Sequence, residues 1–551
     1  MTSPWDDIVV GGGSSGAVLA ARLSEDPARR VLLLEAGPDF ASIDALPAQI
    51  RRAGEPVMQG YNWDYQANLR QSGLWQNLVQ SVGVLAAAPR DMLHAVKTAI
   101  HAPQAAAGHL HQFPYCLGKV IGGSSSVNGA LALRPVREDF ARWVAEGCAD
   151  WGWEQVLPFF RALEADALGG DQHGADGPVP IHRTALADLH PLQAAFRDAC
   201  LAHGMTDLPD LNGDSRPGVG VLPSNTRGDL RVSTAVAYLM PARQRPNLSV
   251  IGNATIDRVL FEGTRAVGVE ALIDGQRRQL RAARITLSAG AVNTPAILMR
   301  SGVCDRQLSR SLDIGNIAHR PGVGANLRDH AAVMLWMIPN SGASDEAVRH
   351  HHQVMARLRT SRSASPNLSL FFLSHFPTGG IPMLQSLLRS PIANAMSIVH
   401  AQPASKGRVY ITERAATARP VIDLGLGSEG ADIDDLVEGV RTAWDLLRSP
   451  AIARHTKSVF VWSDALVRND SSLRSTIQRF LSATWHPVGT ARMGGVADEQ
   501  AVVDEAGRVH GLRGLRIADA SVMPAIPSVP TNLTCIMLAE RIAAGMRAGD
   551  D

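Results

Sequence analysis

The sequence contains few cysteines, and their placement excludes two classes of protein. There are five among 551 residues, and no two of them form a Cys-x-x-Cys pair. An odd and scattered set argues against a disulfide framework and against a structural zinc site. We therefore expect reduced thiols, as in a cytoplasmic protein, at Cys116, Cys148, Cys200, Cys304 and Cys535.

Net charge and long apolar runs are also scarce. The 53 basic and 52 acidic residues give a net charge of +1, which leaves no electrostatic footprint for nucleic acid or an anionic membrane. No uncharged stretch is apolar enough to predict a membrane span. The first predicted strand begins within seven residues of Met1, which leaves no room for a signal peptide. These absences predict a cytoplasmic protein with no nucleic-acid partner.

The composition describes a large globular protein. Hydrophobic residues make up 45% of the chain and charged residues 19%, which is ample for a core. A chain of 551 residues is too long for one ordinary core, so we expect two domains or one domain elaborated by insertions. Because the sequence has no internal repeat and no low-complexity linker, we expect interleaved domains.

A glycine-rich loop near the N-terminus is the most informative local pattern. Gly11, Gly13 and Gly16 stand in G-x-G-x-x-G spacing between the apolar runs 8–10 and 31–34. This pattern predicts a strand, a phosphate-binding loop, a helix and a second strand. In such a loop the first glycine permits a tight turn, the second lets the backbone approach a pyrophosphate, and the third allows close packing of the helix. The phosphates are expected on the free N–H groups at the helix start.

Glu35 ends the second apolar run. An acidic residue at this place typically binds a ribose hydroxyl. A carboxylate there repels a 2′-phosphate, so the predicted ligand is the ADP moiety of FAD or NAD rather than NADP.

His486 lies in the sequence TWHPVGTARMG. Pro487 and Gly489 exclude a regular helix, so the imidazole is predicted on a rigid loop. A histidine held in this way could accept a proton from a substrate hydroxyl near neutral pH. The alternative is a core histidine bonded to backbone, and the residues alone leave both interpretations open.

Asn532 precedes a helix predicted from about Thr534 to Met546. One interpretation is an N-cap, whose side-chain oxygen accepts a free N–H of that helix. In the other, the positive end of the helix stabilises negative charge on a reduced flavin while Asn532 bonds a substrate oxygen. The sequence pattern fits both.

A histidine run, His350, His351 and His352, follows Arg349. Adjacent positions on a helix do not converge on one ion, so we interpret the run as a solvated patch and predict no metal site.

An apolar segment at residues 71–111 is predicted to be a helical insertion. No charged residue occurs between Gln71 and Pro89, and apolar residues recur there and up to Ile100 at helical spacing. We expect two short helices joined at Pro89, forming core, a lid or a dimer contact.

Several motifs together resemble the glucose-methanol-choline (GMC) family of flavoenzymes. They are GKVIGGSSSVNGALALRP at 118–135, GAVNTPAILMRSGV at 290–303, PGVGANLRDH at 321–330, the HPVGTARMG loop, and DASVMPAIPSVPTNLTCIMLAERIA near the C-terminus. The matches run from near residue 5 to 545 in the order of the family. One departure is Cys304, which stands where the family usually has glycine and which we expect to affect only a turn.

The resemblance implies a fold of the α/β and α+β classes. A Rossmann-like FAD-binding domain would be built from discontinuous segments, with a large mostly antiparallel sheet in an interleaved substrate domain. The expected segments are 1–150, 235–310 and 483–551 for FAD binding, with 151–234 and 311–482 for substrate.

The resemblance also assigns residues. His486 matches the catalytic histidine of the family and Asn532 its catalytic partner. FAD contacts are implied at Gly11, Gly13, Ser14, Ser15, Gly16, Glu35, Ala36, Val120, Gly123, Asn128, Gly129, Ala130, Leu131, Ile256, Trp485, Asp519, Ala520, Asn532, Leu533 and Thr534. Members with a histidyl linkage carry histidine before the signature asparagine, whereas Val127 stands there, so non-covalent FAD is expected.

The implied reaction is oxidation of a primary alcohol to an aldehyde, with the proton passing to His486 and hydride to flavin N5. Trp485 resembles the arrangement in bacterial aryl-alcohol and hydroxymethylfurfural oxidases, which favours an aromatic, furanic or other apolar alcohol. Oxygen and a quinone-type acceptor both remain open, as does a homodimer. Lyase or photodecarboxylase chemistry on the same scaffold is the alternative, and Asn532 disfavours the lyases, which tend to use paired histidines.

Overall fold

The structure is a computed structural model that describes residues 5–54, 56–69, 112–340, 352–378, 385 and 388–549. The predicted apolar insertion at 71–111 and two of the three histidines of the 350–352 run lie outside these residues.

A seven-stranded sheet carries the glycine-rich loop. Five strands run parallel, in the order Leu248–Ile251, Val31–Leu34, Trp5–Val10, the end of Gln276–Leu287, and Leu515–Ile517. The strands Ala254–Glu262 and Arg265–Ile273 extend the sheet in antiparallel fashion. The predicted strand, loop, helix and strand are thus confirmed, with the helix at Gly16–Leu23.

The strand Val31–Leu34 and the helix Gly16–Leu23 are buried in this part of the fold. All four side chains of Val31–Leu34 are 0% exposed, as expected of a parallel strand covered on both faces. The helix Gly16–Leu23 is buried at seven of its eight positions and packs against the last helix, Asn532–Arg547. The two ends of the chain therefore form one side of this sheet.

A second seven-stranded sheet is antiparallel throughout. Its strands, in spatial order, are Thr456–Val459, Ala331–Pro339, Ile392–His400, Leu368–Pro377, Val354–Leu358 and Gly218–Val221, with Ser482–Ala483 also paired to Ala331–Pro339. This sheet confirms the predicted fold class.

One face of the antiparallel sheet is covered by the helix Gly430–Leu447. Gly439 of that helix lies so close to the sheet that an added Cβ would sit 2.7 Å from Leu368 Cδ1 and 2.8 Å from Ile398 Cγ2. Because side chains alternate between faces along a strand, the odd-numbered neighbours Ser369 and Val399 point the other way, toward the interior of the molecule.

The remaining strands form smaller sheets and strand pairs. A four-stranded sheet contains Arg408–Tyr410, Val421–Asp423, Tyr65–Asn68 and Gln112–Tyr115. A three-stranded sheet contains Glu164–Asp166, Val179–Arg183 and Pro223–Ser224, and two strand pairs are Thr226–Arg227 with Leu230–Arg231 and Val303–Cys304 with Ala318–His319. Further helices are Ala48–Arg51, Arg137–Ala145, Trp153–Leu163, Pro191–Ala202, Met240–Ala242, Gly290–Arg300, Arg306–Ser311, Pro450–Ala453, Asp464–Arg468 and Asp470–Phe480.

The structure tests the expectations on cysteines, on the last helix and on membrane spans. All five cysteines lie within the described residues and are free thiols. Cys304 lies in a two-residue strand directly after the turn at 301–302 and is 1% exposed. That its replacement of glycine affects only the turn stays a prediction. The last helix begins at Asn532, two residues before the predicted start. No helix in the described part of the chain is long and apolar enough to cross a membrane. The domain limits remain a prediction.

Candidate active site

The glycine-rich loop is fixed by the backbone around it. Gly11 has φ +95°, and a Cβ there would lie 2.5 Å from the Ser288 carbonyl oxygen. A Cβ at Gly16 would lie 1.8 Å from the Gly11 carbonyl oxygen. At Gly13 the nearest atom, Gly123 Cα, would be 3.8 Å away. The protein's own packing therefore requires Gly11 and Gly16, whereas Gly13 leaves space toward a cavity.

The start of the helix Gly16–Leu23 is suited to an anion. No side chain caps it, because Ser15 at the N-cap donates its hydroxyl to the Cys535 carbonyl oxygen. Uncapped N–H groups and the helix dipole together favour a phosphate at such an end.

Glu35 lines the same cavity. Its two carboxylate oxygens accept the backbone N–H groups of Gly12 and Gly37, each at 2.8 Å. Burial disfavours the charged form and raises the pKa of Glu35 to about 7. The two hydrogen bonds hold the carboxyl group in place, and each oxygen keeps a second lone pair for a ligand hydroxyl.

A cavity of about 1370 Å³ extends from the glycine-rich loop to the antiparallel sheet. This volume exceeds that of an ordinary ligand pocket, which is about 300–1,000 Å³. Both proposed catalytic residues line it, together with the predicted contacts Gly11, Gly13, Ser14, Ser15, Glu35, Ala36, Gly123, Asn128, Gly129, Leu131, Ile256, Trp485, Asp519 and Ala520.

Five predicted contacts do not line the cavity. They are Gly16, Val120, Ala130, Leu533 and Thr534, all of which are buried in the protein. Their burial leaves no surface toward the cavity, so they support its walls.

His486 lies on a loop that the rest of the protein holds in several places. Its backbone N–H donates to Asp329 Oδ1 at 3.0 Å. Its Nδ1 lies 3.0 Å from His330 Nδ1 and 2.9 Å from Thr484 Oγ1. Burial lowers the pKa of His486 to about 4, so the imidazole is neutral at pH 7.

The hydrogen bonds of His330 decide which nitrogen of His486 is free. His330 Nε2 lies 2.8 Å from the Pro527 carbonyl oxygen, which can only accept, so Nε2 carries a proton. Burial and the neighbouring His486 lower the pKa of His330 well below its ordinary value, which leaves its Nδ1 unprotonated. His486 must then donate from Nδ1, and its Nε2 keeps a free lone pair.

Asp329 fixes the position of the His486 backbone. It is 1% exposed and accepts the Tyr115 hydroxyl as well as the His486 N–H. Burial raises the pKa of Asp329 to about 6. The carboxyl group thus connects the strand Gln112–Tyr115 to the histidine loop.

Asn532 is the first residue of the last helix, and Thr531 is the N-cap. The N-cap interpretation of Asn532 is therefore wrong. Its Oδ1 accepts the Ser14 hydroxyl at 2.9 Å, which connects the phosphate loop to the last helix. With the oxygen so engaged, the amide nitrogen is the donor that Asn532 can offer to a ligand.

Comparison with known proteins shows the family of this chain. Family models of the GMC oxidoreductase N-terminal and C-terminal regions match residues 5–332 and 403–539. The chain belongs to the GMC oxidoreductase family. This membership confirms the predicted family and the predicted enzyme class, an FAD-dependent oxidoreductase that acts on alcohols.

Individual relatives span nearly the whole chain. The 5-(hydroxymethyl)furfural oxidase of Methylovorus sp. is 32% identical over 98% of this chain and 98% of its own length. The oxygen-dependent choline dehydrogenase 1 of Chromohalobacter salexigens is 32% identical over 99% and 95%. Among solved structures, pyridoxine 4-oxidase from Mesorbium loti superposes with a TM-score of 0.83 at 28% identity, covering 99% of both chains.

The residues present fit FAD. One cavity is lined by His486, by Glu35 and by Gly13, which has open space beside it. The uncapped start of the helix Gly16–Leu23 lies next to Gly13.

Trp485 has an unusual backbone conformation. Its φ of +60° lies in the left-handed region, which is rare and strained for a bulky residue. Its indole N–H donates to the Pro114 carbonyl oxygen at 3.1 Å, and its ring stacks on Phe113 with centroids 6.3 Å apart. These contacts fix the wall of the cavity next to His486.

Sequence reasoning missed two groups at the site and misplaced a third. His330 and Asp329 end the family motif PGVGANLRDH, so the signal was available, but no role was assigned to them. His352 was interpreted as part of a solvated patch, whereas it is half-buried, lines the cavity and packs edge-on against Phe371. That interpretation is wrong for His352.

Another polar cluster lies outside the cavity lining. Glu164, Asp166 and His173 have side-chain atoms within 4.8 Å of one another. Arg134 pairs with Glu164, and Arg183 pairs with Asp166. The arginines supply positive charge to these carboxylates, as expected of a structural ion-pair network.

Proposed function

We propose that the protein oxidises an uncharged primary alcohol to the aldehyde, with His486 as the general base. The observation that carries this proposal is a single cavity that joins the phosphate loop to a buried, neutral histidine. The lone pair on His486 Nε2, deduced from the His330 and Pro527 contacts, is the group that the reaction requires.

The cofactor would be held mainly at the glycine-rich loop, the start of the first helix and Glu35. When bound, FAD supplies the two-electron acceptor for the hydride of the carbinol carbon. We propose oxygen or a quinone-type compound as the final electron acceptor.

The side chains of this chain then have separate tasks. His486 takes the hydroxyl proton at Nε2, while its Nδ1 proton stays on the hydrogen bond to His330. That bond also stabilises the imidazolium that forms. Asn532 donates its amide N–H to the substrate oxygen and so orients the carbinol carbon. The low pKa of His486 keeps it unprotonated, and thus competent, throughout the neutral range.

Anaerobic stopped-flow spectroscopy tests the proposal. Mixing the holoenzyme with a panel of benzylic, furanic and aliphatic alcohols should bleach the flavin absorbance, with an aldehyde as product. Admitting oxygen or a quinone in separate experiments then identifies the acceptor from the rate at which the colour returns. Product formed without bleaching would contradict the proposal and point to lyase or photodecarboxylase chemistry.

We further propose that FAD is bound non-covalently. Val127, which is 6% exposed and lines the cavity, precedes Asn128 and has no group that can bond to the flavin. Acid precipitation should therefore leave the yellow colour in the supernatant, as measured by its flavin absorbance. Colour that stays with the pellet after repeated washing would contradict this prediction.

A further inference from the structure

The antiparallel sheet presents a mostly apolar wall to the cavity. Met334 and Trp336 come from one strand, Phe371 and Leu373 from a second, and Val399 from the strand between them. The opposite face packs on the helix Gly430–Leu447, as described above. The wall is therefore built by the side chains that alternate away from that helix.

Two serines interrupt this apolar wall. Ser369 is 5% exposed and Ser397 is 7% exposed, and both line the cavity. Among the hydrogen bonds of the described residues, neither hydroxyl has a protein partner. Ser482 also lines the cavity, but its hydroxyl donates to the Ala332 carbonyl oxygen at 3.2 Å. Both hydroxyls therefore open onto the cavity with hydrogen-bonding capacity that the protein does not use and that a ligand group can use.

The register of the sheet places the two hydroxyls together. Ser369 pairs with Val399, and Phe371 pairs with Ser397. The serines are therefore diagonal neighbours on one face, roughly 7–8 Å apart at Cα. Val399 and Phe371 occupy the other two corners of this four-residue patch.

The patch also lies within reach of the proposed base. His330, which contacts His486, immediately precedes the strand Ala331–Pro339. In that strand Ala332 pairs with Val399 and Met334 pairs with Ser397. Strands lie about 4.8 Å apart and rise about 3.3 Å per residue, so the Cα atoms of the two serines lie roughly 12–14 Å from that of His330. The side chains and a ring-bearing substrate together can bridge this span.

Charge is absent from this wall. Among the residues that the structure describes, the charged side chains that line the cavity are Glu35, Asp64, Lys119, Arg300, Arg419 and Asp519, and none of them belongs to the antiparallel sheet. A cationic or anionic substituent placed on the wall would be buried without a partner, which is costly.

We propose that Ser369 and Ser397 bind a hydrogen-bonding substituent of the substrate, remote from its carbinol. The substrate class is then an uncharged alcohol with an apolar, ring-sized body and one such oxygen or nitrogen group. This inference rests on the proposed function and deepens it.

The test is a comparison of two substrates on several enzymes. Benzyl alcohols that carry a ring hydroxyl at the 3 or 4 position are matched with their methyl counterparts, which have nearly the same shape. Each is assayed by anaerobic flavin reduction with the wild type, Ser369→Ala, Ser397→Ala and the double variant. Ser458→Ala is the control, because Ser458 lies on the same sheet but is exposed and outside the cavity.

We expect the serine variants to discriminate between the substrates. A lost hydrogen bond lowers the second-order rate constant of flavin reduction by the hydroxyl-bearing alcohol by about 2- to 12-fold per serine, through a higher Kd. The methyl-bearing alcohol should react unchanged or faster, and the FAD content should match that of the wild type. Choline should not measurably bleach the flavin of any variant.

An equal effect on both substrates, or no effect of the double variant, would overturn the inference. These outcomes are separable from failure of the proposed function. Bleaching of the wild type by the methyl-bearing alcohols supports alcohol oxidation whatever the serines do, whereas a flavin that no alcohol bleaches contradicts the proposed function itself.

Discussion

His486→Ala should slow flavin reduction by alcohol by about 10²- to 10⁴-fold, the usual effect of removing a general base. FAD content should stay close to that of the wild type, because the glycine-rich loop and Glu35 are untouched. The measurement is the limiting rate of anaerobic bleaching at saturating alcohol, with the absorbance ratio of flavin to protein as the check on binding.

His330→Ala is the matched control for this variant. It removes the acceptor of the His486 Nδ1 proton but leaves Thr484 Oγ1 at 2.9 Å from the same nitrogen. We therefore expect a smaller loss than in His486→Ala. A rate for His486→Ala near that of the wild type would show that another residue is the base.

Gly16→Ala should yield a protein without bound FAD and with a lowered Tm. The added Cβ would lie 1.8 Å from the Gly11 carbonyl oxygen, so the turn that shapes the phosphate loop must move. Backbone atoms cannot yield as a flexible side chain can, and strained sites of this kind cost about 1–3 kcal/mol or more. Absorbance of the purified protein and thermal unfolding measure the two effects.

Gly13→Ala separates cofactor binding from folding. Its Cβ meets protein only at 3.8 Å, so the apoprotein should unfold at the wild-type temperature. FAD titration should nevertheless show weaker binding, because the methyl group occupies space that opens on the cavity. Unchanged FAD affinity in Gly13→Ala would contradict the placement of the pyrophosphate at this glycine.

The local patterns in the sequence were sufficient for the nucleotide half of the fold. Glycine spacing and two apolar runs predict the strand, loop and helix, since each signal lies within a few residues of the element it specifies. The Pro-Gly loop of His486 is likewise a local property. The large antiparallel sheet was expected only through the family resemblance.

The rest depends on contacts between distant segments. His330 and His486 are 156 positions apart, and neither local sequence indicates that their Nδ1 atoms meet. Ser369 and Ser397 become neighbours only through strand register, which a one-residue slip would reverse. The N-cap interpretation of Asn532 was wrong because the helix begins two residues earlier than expected, and boundaries are the least certain part of any helix prediction.

The hydroxyl of Ser14 and the amide of Asn532 join positions 518 residues apart, and Arg22 pairs with Glu540 beside them. Ser14 belongs to the phosphate loop and Asn532 to the helix beside it. The cofactor site is therefore complete only when two segments far apart in the sequence have both been synthesised and have met. Contacts of such long sequence separation make folding slow, so we expect the cofactor site to be assembled late in folding.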